Sequence, residues 1–198
     1  MKLLFILPLF IALLPSCTPL SVTDETGPGY LAAFRTGVTD SQKLLEHQRG
    51  YWDGDNVEGA PMVRIKRDEQ RAYFYKGGEL VGMSPIATGK TTHTTPAGSF
   101  KITQKSKDHR SSLYGEIKDR ATGQVINDDA DTRKDRPGPG QYFDAARMPY
   151  FMRFNGGVGM HVGHLPGYAA SHGCVRMPEP MAIKFFENVE IGTPVIVE

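Results

Sequence analysis

The sequence predicts a mostly β domain with few helices and one long polar loop. Three observations predict it: short runs alternate apolar and polar residues, glycine-rich turn signals separate them, and only 179–188 carries the apolar spacing of a helix. Met62-Val63-Arg64-Ile65-Lys66 alternates apolar and basic residues, as a strand with one buried face does. Arg71-Ala72-Tyr73-Phe74-Tyr75 is aromatic, and Lys76-Gly77-Gly78-Glu79 turns the chain towards Leu80-Val81-Gly82-Met83. These three runs predict a β-meander. Ser99-Phe100-Lys101-Ile102-Thr103 continues the alternation, as do 149–154 and Pro194-Val195-Ile196-Val197. The helix, with Met181, Ile183, Phe185 and Phe186, starts after Pro178 and Pro180. Proline is tolerated there because first-turn N–H groups lack a helical partner in any case.

Between 104 and 147 the chain is rich in Asp, Lys, Arg, Gly and Pro, far longer than an ordinary connection of about 4–6 residues. It reads as a loop of the kind that forms lids. Its Asn127-Asp128-Asp129-Ala130-Asp131 cluster lacks the glycine at the sixth position and the glutamate at the twelfth that a calcium loop needs, so it reads as a solvated turn. Tyr114, Tyr142 and Tyr150 either line a groove or pack, and packing is the commoner fate of such residues.

A chain of 198 residues, 39% of them hydrophobic, can bury one sizeable core, and 23 basic against 22 acidic residues give no electrostatic case for nucleic acid. Lys2 followed by the apolar 3–14 run reads as an export signal, since that run falls short of the roughly 20 residues that span a bilayer. Leu14-Pro15-Ser16-Cys17 resembles the lipobox of bacterial lipoproteins, with Cys17 as the lipidated first residue; simple secretion is the alternative. The domain expectation is therefore a signal over 1–16, a tether over 17–61 with a short helical candidate at 42–48, and a catalytic domain over 62–198. Within the tether, Tyr51 and Trp52 are expected to pack on the domain edge. The protein is placed in the bacterial cell envelope, on the membrane by its lipid anchor and on the periplasmic side.

The chemistry concentrates in Ser171-His172-Gly173-Cys174-Val175-Arg176, preceded thirteen residues upstream by His161 in Gly159-Met160-His161-Val162-Gly163. Nucleophilic catalysis by cysteine needs a thiolate, a base and backbone N–H groups aimed at a developing oxyanion. Cys174 is the candidate nucleophile, His161 its base, and the N–H groups of Gly173 and Cys174 the candidate oxyanion donors. His172 sits too close along the chain to be the obvious base and is expected to orient a neighbour or donate a hydrogen bond. Zinc held by His161, His164, His172 and Cys174 is the rival reading of the same residues. A Cys17–Cys174 disulfide would silence the nucleophile, so Cys174 is expected to be a free thiol.

A histidine followed by Ser-His-Gly-Cys resembles the signature of the L,D-transpeptidases of the YkuD or ErfK type. Thr95-Pro96-Ala97-Gly98-Ser99-Phe100 resembles that family's Thr-Pro-x-Gly-x-Phe element, and Ile86-Ala87-Thr88-Gly89-Lys90 the strand end before it. Met148-Pro149-Tyr150-Phe151-Met152 and His164-Leu165-Pro166-Gly167-Tyr168 resemble the flanks of the catalytic histidine in one branch. The resemblance implies a β-sandwich-like catalytic fold, peptidoglycan stem peptides as substrate, no cofactor and no metal. It further implies attack on the third residue of a tetrapeptide stem, release of D-alanine, transfer to an amine of a second stem or a protein lysine, and inhibition by carbapenems. Arg176, Ser171, Tyr168 and Tyr150 are the candidate substrate-binding residues. Arg176 either forks onto a substrate carboxylate or braces its loop on an acidic neighbour; Ser171 either partners His161 or belongs to the turn. An L,D-carboxypeptidase or endopeptidase would share every motif with water as acceptor. A non-catalytic wall-binding or metal-binding lipoprotein would need no turnover at all.

Overall fold

The computed structural model describes residues 50–198. The export signal, Cys17 and the 42–48 helical candidate lie outside the described residues.

Eleven strands, one α-helix and a 3₁₀ turn at Thr91–His93 make up the described chain. The predicted meander is β2 (Pro61–Lys66), β3 (Arg71–Lys76) and β4 (Glu79–Pro85), paired antiparallel in sequence order. β1 (Tyr51–Trp52) adds to the free side of β4. On the other side of β2 lies the closing strand β11 (Pro194–Val197), parallel to β2 and antiparallel to β5 (Gly98–Lys101). The first sheet therefore runs β1-β4-β3-β2-β11-β5. β1 lies within the stretch read as tether: Trp52 packs edge-on against Phe74 with ring centroids 5.1 Å apart, and its indole N–H donates to Asp55.

The 104–147 stretch corrects the reading from sequence. It is not a loop, and the Asn127–Asp131 cluster is not a free turn. β6 (Gln104–Asp119), β7 (Val125–Asp131) and β8 (Gln141–Asn155) form a long antiparallel ribbon, and β9 (Val158–Val162) and β10 (Val175–Met177) complete a second sheet in the order β10-β9-β8-β6-β7. Only Ser111, Gly115 and Ile117 of the sixteen β6 residues are buried. A ribbon wetted on both faces shows no apolar alternation, and its stability comes from cross-strand hydrogen bonds that no local pattern announces. A bulge interrupts β6–β8 pairing between Arg110 and Gly115, where the Ser111 hydroxyl accepts the N–H groups of Leu113 and Tyr114.

The two sheets share one core. Alternate residues Val63 and Ile65, Ala72 and Phe74, and Val195 and Val197 face Met152, Phe154, Met160, Val175 and Met177 of the second sheet, all buried. Helix α1 (Glu179–Asn188) matches its predicted bounds, with Pro178 as its N-cap. It buries Met181, Ala182, Phe185 and Phe186, a single face at helical spacing. Phe185 meets Phe74 edge-on at 5.0 Å. Burying each such ring contributes about 1.5–3 kcal/mol.

Candidate active site

β9 leads through residues 163–174 to β10, which returns parallel to β9 and beside it, with Arg176 in register with His161 and Val175 with Met160. Side chains alternate along a strand. Val175 and Met160 therefore both point into the core, each fully buried, while His161 and Arg176 share the opposite face. Cys174 lies two residues before Arg176 and falls on that same face. A cavity of about 530 Å³ is lined by all three, together with His172, Ser171 and the β6–β8 ribbon at 111–114 and 146–148. The polar ribbon is thus a wall of the site.

The turn at Gly173 and Cys174 is held by two hydroxyls. Gly173 adopts φ +113°, a conformation that excludes a β-carbon at this point. Its carbonyl accepts from Thr95 Oγ1 at 2.8 Å, and Thr95 Oγ1 in turn accepts the Gly89 N–H at 2.9 Å. Ser171 Oγ donates to the Cys174 carbonyl and accepts the Gly173 N–H at 3.1 Å. Ser171 is therefore a member of the turn rather than a partner of His161. The same bond corrects the expected oxyanion pair: the Gly173 N–H is already engaged, whereas no hydrogen bond among the described residues engages that of Cys174. Thr95 is fully buried, so Thr95→Val leaves the Gly173 carbonyl and the Gly89 N–H without partners, at about 1–3 kcal/mol each. Urea denaturation is expected to show that loss and a fall in activity, with Thr95→Ser retaining most of both.

Burial works against charge at both central groups. The His161 ring is buried, which pushes its pKa from 6.5 down to about 4; its Nδ1, 2.8 Å from the Val162 carbonyl, opposes the shift, and Arg176 and His109 reinforce it. Because a carbonyl only accepts, Nδ1 carries the proton and Nε2 is left as the basic nitrogen. Burial likewise raises the Cys174 thiol, against the Gly159 N–H directed at the sulfur and the charges of Arg153 and Arg176. Both groups are therefore favoured in their neutral forms, a thiol on Cys174 and an imidazole on His161, on the wall of one cavity. A histidine with a folded pKa below its unfolded value binds fewer protons when folded. His161 therefore costs the fold about 3 kcal/mol as pH falls from about 6.5 to about 4. Denaturation of wild type and His161→Gln at pH 7 and pH 4.5 is expected to show a steeper acid loss in wild type.

His172 belongs to a cluster that joins the turn to the ribbon. Its Nε2 lies 3.0 Å from Asp129 on β7, its ring stacks on Tyr114 at 4.4 Å, and His93 meets it edge-on at 5.0 Å. Lys90 approaches Asp129 at 3.7 Å, and Arg133 donates to the Tyr114 hydroxyl at 2.8 Å. Burial is the main cause of the lowered His172 pKa, and Asp129 opposes it. Asp129, Tyr114 and His93 come from three separated segments; from the sequence Asp129 read as part of a solvated turn, Tyr114 as packing or groove lining, and His93 drew no notice.

Arg176 lies over Gly163 and has no acidic partner among the described residues, so the bracing alternative finds no brace. Tyr150 and Tyr168, named as substrate contacts, do not line the cavity. The Tyr150 ring packs edge-on against Phe186 at 5.5 Å, and Tyr168 is 65% exposed. His164 lies on the cavity wall, yet no group of three His, Cys, Asp or Glu residues among the described residues is arranged to hold a metal ion. Cys174 is a free cysteine.

The family model for the L,D-transpeptidase catalytic domain, YkuD, matches residues 60–197. The chain belongs to the L,D-transpeptidase family. A Bacillus subtilis (strain 168) protein, YqjB, named as a candidate L,D-transpeptidase, is 26% identical over 149 residues, 73% of this chain and 75% of its own. An L,D-transpeptidase from Mycobacterium smegmatis shares the fold with a TM-score of 0.53 at 20% identity, covering 71% of this chain and 59% of that one. The Enterococcus faecium L,D-transpeptidase, solved as a cysteine-to-serine mutant, aligns with a TM-score of 0.51 at 25% identity over 71% of this chain and 50% of its own. This chain thus spans between half and three fifths of those two solved proteins. No helix of the described L,D-transpeptidase residues is long and apolar enough to cross a membrane.

Proposed function

We propose that this L,D-transpeptidase domain transfers an acyl group from a peptidoglycan tetrapeptide stem to an amine through a thioester on Cys174. The observation that carries the reading is the placement of His161 on β9 and of Cys174 in the turn just before the adjacent parallel strand β10, both lining one cavity, with Nδ1 of His161 tied back so that Nε2 is the base. Proton transfer from Sγ to Nε2 generates the thiolate at the moment of attack, since burial stabilises neither ion beforehand. The sulfur adds to the carbonyl of the third stem residue, and the Cys174 N–H holds the oxyanion. The C–N bond then breaks as His161 returns its proton to the departing D-alanine amine. The acceptor amine, from a second stem or a protein lysine, attacks the thioester and gives a proton back through His161 to the released thiol. His172 and Ser171 position the turn, and Arg176 offers a guanidinium to a substrate carboxylate. In this reading the protein is exported on residues 1–16 and held in the bacterial envelope by acyl chains on Cys17, with the segment up to the domain as tether.

The test incubates the mature protein with disaccharide-tetrapeptide muropeptides and follows products by mass spectrometry. A cross-linked dimer formed with loss of one D-alanine is expected. Monomeric tripeptide alone would make water the acceptor and the enzyme a carboxypeptidase, and absence of any product would overturn the reading.

A further inference from the structure

The turn that joins β2 to β3 reaches the Cys174 turn through two side chains, and one of them stands on strained backbone. Among the described residues only Gln70 and Tyr150 adopt a positive φ without being glycine, Gln70 at +51°. A β-carbon makes that left-handed region costly, whereas glycine would occupy it freely. A glutamine kept there points to a task for its side chain. Its carboxamide closes on Thr88: Oε1 accepts the Thr88 N–H at 2.9 Å, and Nε2 donates to Thr88 Oγ1 at 2.8 Å. Nε2 also donates to the Arg67 carbonyl across the turn, which fixes the plane of the amide. Thr88 is 2% exposed, so water offers its N–H and hydroxyl no alternative partner. Its carbonyl accepts the N–H groups of Ala170 and Ser171 at 2.9 and 3.0 Å. Thr88 therefore has Gln70 on one side and the chain entering the Cys174 turn on the other. Its neighbours make the same junction. Ala87 exchanges two backbone bonds of 3.0 Å with Arg176, and the Lys90 N–H donates to the Ser171 carbonyl at 2.9 Å. Arg67 completes the brace, since its Nη1 donates at 3.0 Å to the carbonyl of Thr95, the residue whose hydroxyl holds Gly173.

We propose that Gln70 is a positioning residue for acyl transfer: by holding Thr88 it fixes the segment at 170–174, and with it the direction from which the Cys174 sulfur meets the donor carbonyl. Gln70 does not line the cavity. A sulfur displaced by a fraction of an ångström loses rate while the walls that bind the donor stay in place, so the effect falls on acylation and not on binding. The inference rests on the acyl-transfer reading of the site.

The test measures the two steps separately. Single-turnover formation of the Cys174 adduct with a tetrapeptide muropeptide, followed by intact-protein mass spectrometry, gives the acylation rate. Calorimetry with the same muropeptide on the Cys174→Ala background gives binding. Both are run at a temperature at which circular dichroism shows every variant folded. Gln70→Met keeps the length of the side chain and removes its donor and acceptor. It is expected to acylate about ten- to hundredfold more slowly, with muropeptide affinity within about twofold of the parent. Gln70→Gly adopts the positive φ without strain, so it separates side chain from backbone and serves if the methionine variant does not fold; the same split is expected. Thr88→Val keeps the N–H and carbonyl and is expected to slow acylation less. Gln70→Met combined with Thr88→Val is expected to be no slower than Gln70→Met alone, because Gln70 acts through Thr88. Wild-type acylation by a folded Gln70 variant overturns the assignment. So does an affinity that falls in step with the rate, or effects of Gln70→Met and Thr88→Val that simply multiply. Absence of an adduct on the wild-type protein would overturn the acyl-transfer reading, and the assignment with it.

Discussion

Cys174→Ala is expected to lower muropeptide turnover by at least about 10⁴-fold while stem binding persists. Cys174 is the free thiol at the end of the short turn that Ser171 and Thr95 fix, and it is the one cysteine among the residues lining the cavity that His161 also lines. Its sulfur meets only backbone groups of the 157–159 turn and strand start, the Gly157 carbonyl at 3.8 Å and the Gly159 N–H, whereas the turn itself is held by Ser171 and Thr95, so the substitution removes the reacting atom without loosening the turn. What remains after the change is proximity, one oxyanion donor and a base acting on water, a set that yields far less than covalent catalysis. Product analysis by mass spectrometry, alongside calorimetric binding and a melting curve, checks the claim. Turnover surviving in a well-folded Cys174→Ala protein would defeat the cysteine mechanism.

His161→Gln is expected to cost about 10²–10⁴-fold, and to change the pH profile as well as the rate. In wild type the imidazole must be neutral to take the thiol proton. It becomes neutral as pH rises through about 4, so kcat/KM climbs there instead of near the 6.5 of a free histidine. Because burial raises the Cys174 pKa, the neutral pair persists beyond the ordinary thiol range, and the profile is a broad plateau. The variant is expected to lack the acid limb. A wild-type acid limb near 6.5, or a variant with wild-type rates, would contradict the assignment.

The parts of the fold and site that were legible in the sequence are the locally encoded ones. The β2–β4 meander announced itself through alternation and a Gly-Gly turn, and α1 through its apolar spacing after two prolines. The Ser-His-Gly-Cys step and the upstream histidine marked the candidate site, and the fold brings His161, Ser171, His172 and Cys174 to the wall of one cavity. The 104–147 ribbon was illegible because β6 buries only Ser111, Gly115 and Ile117; its order comes from ladders to β7 and β8 that sequence proximity does not reveal. The insertion of β11 between β2 and β5 is likewise a non-local pairing that an apolar run alone cannot specify. Within the site, residue identity was more readable than direction. Gly173 stood out, yet its N–H turns onto Ser171 Oγ rather than towards the cavity. Thr95 lay in a recognisable element, but its bond to Gly173 spans 78 residues. Tyr150 was singled out by its neighbours in the chain, while its ring is claimed by Phe186.

The central claim is a thioester on Cys174, and intact-protein mass spectrometry of the enzyme quenched in acid during turnover of tetrapeptide muropeptides tests it most directly. The account predicts an adduct equal to the donor minus D-alanine, localised to the peptide containing Cys174 and absent from Cys174→Ala. Product formation at full rate with no adduct under single-turnover quenching, or an adduct on another residue, would contradict it.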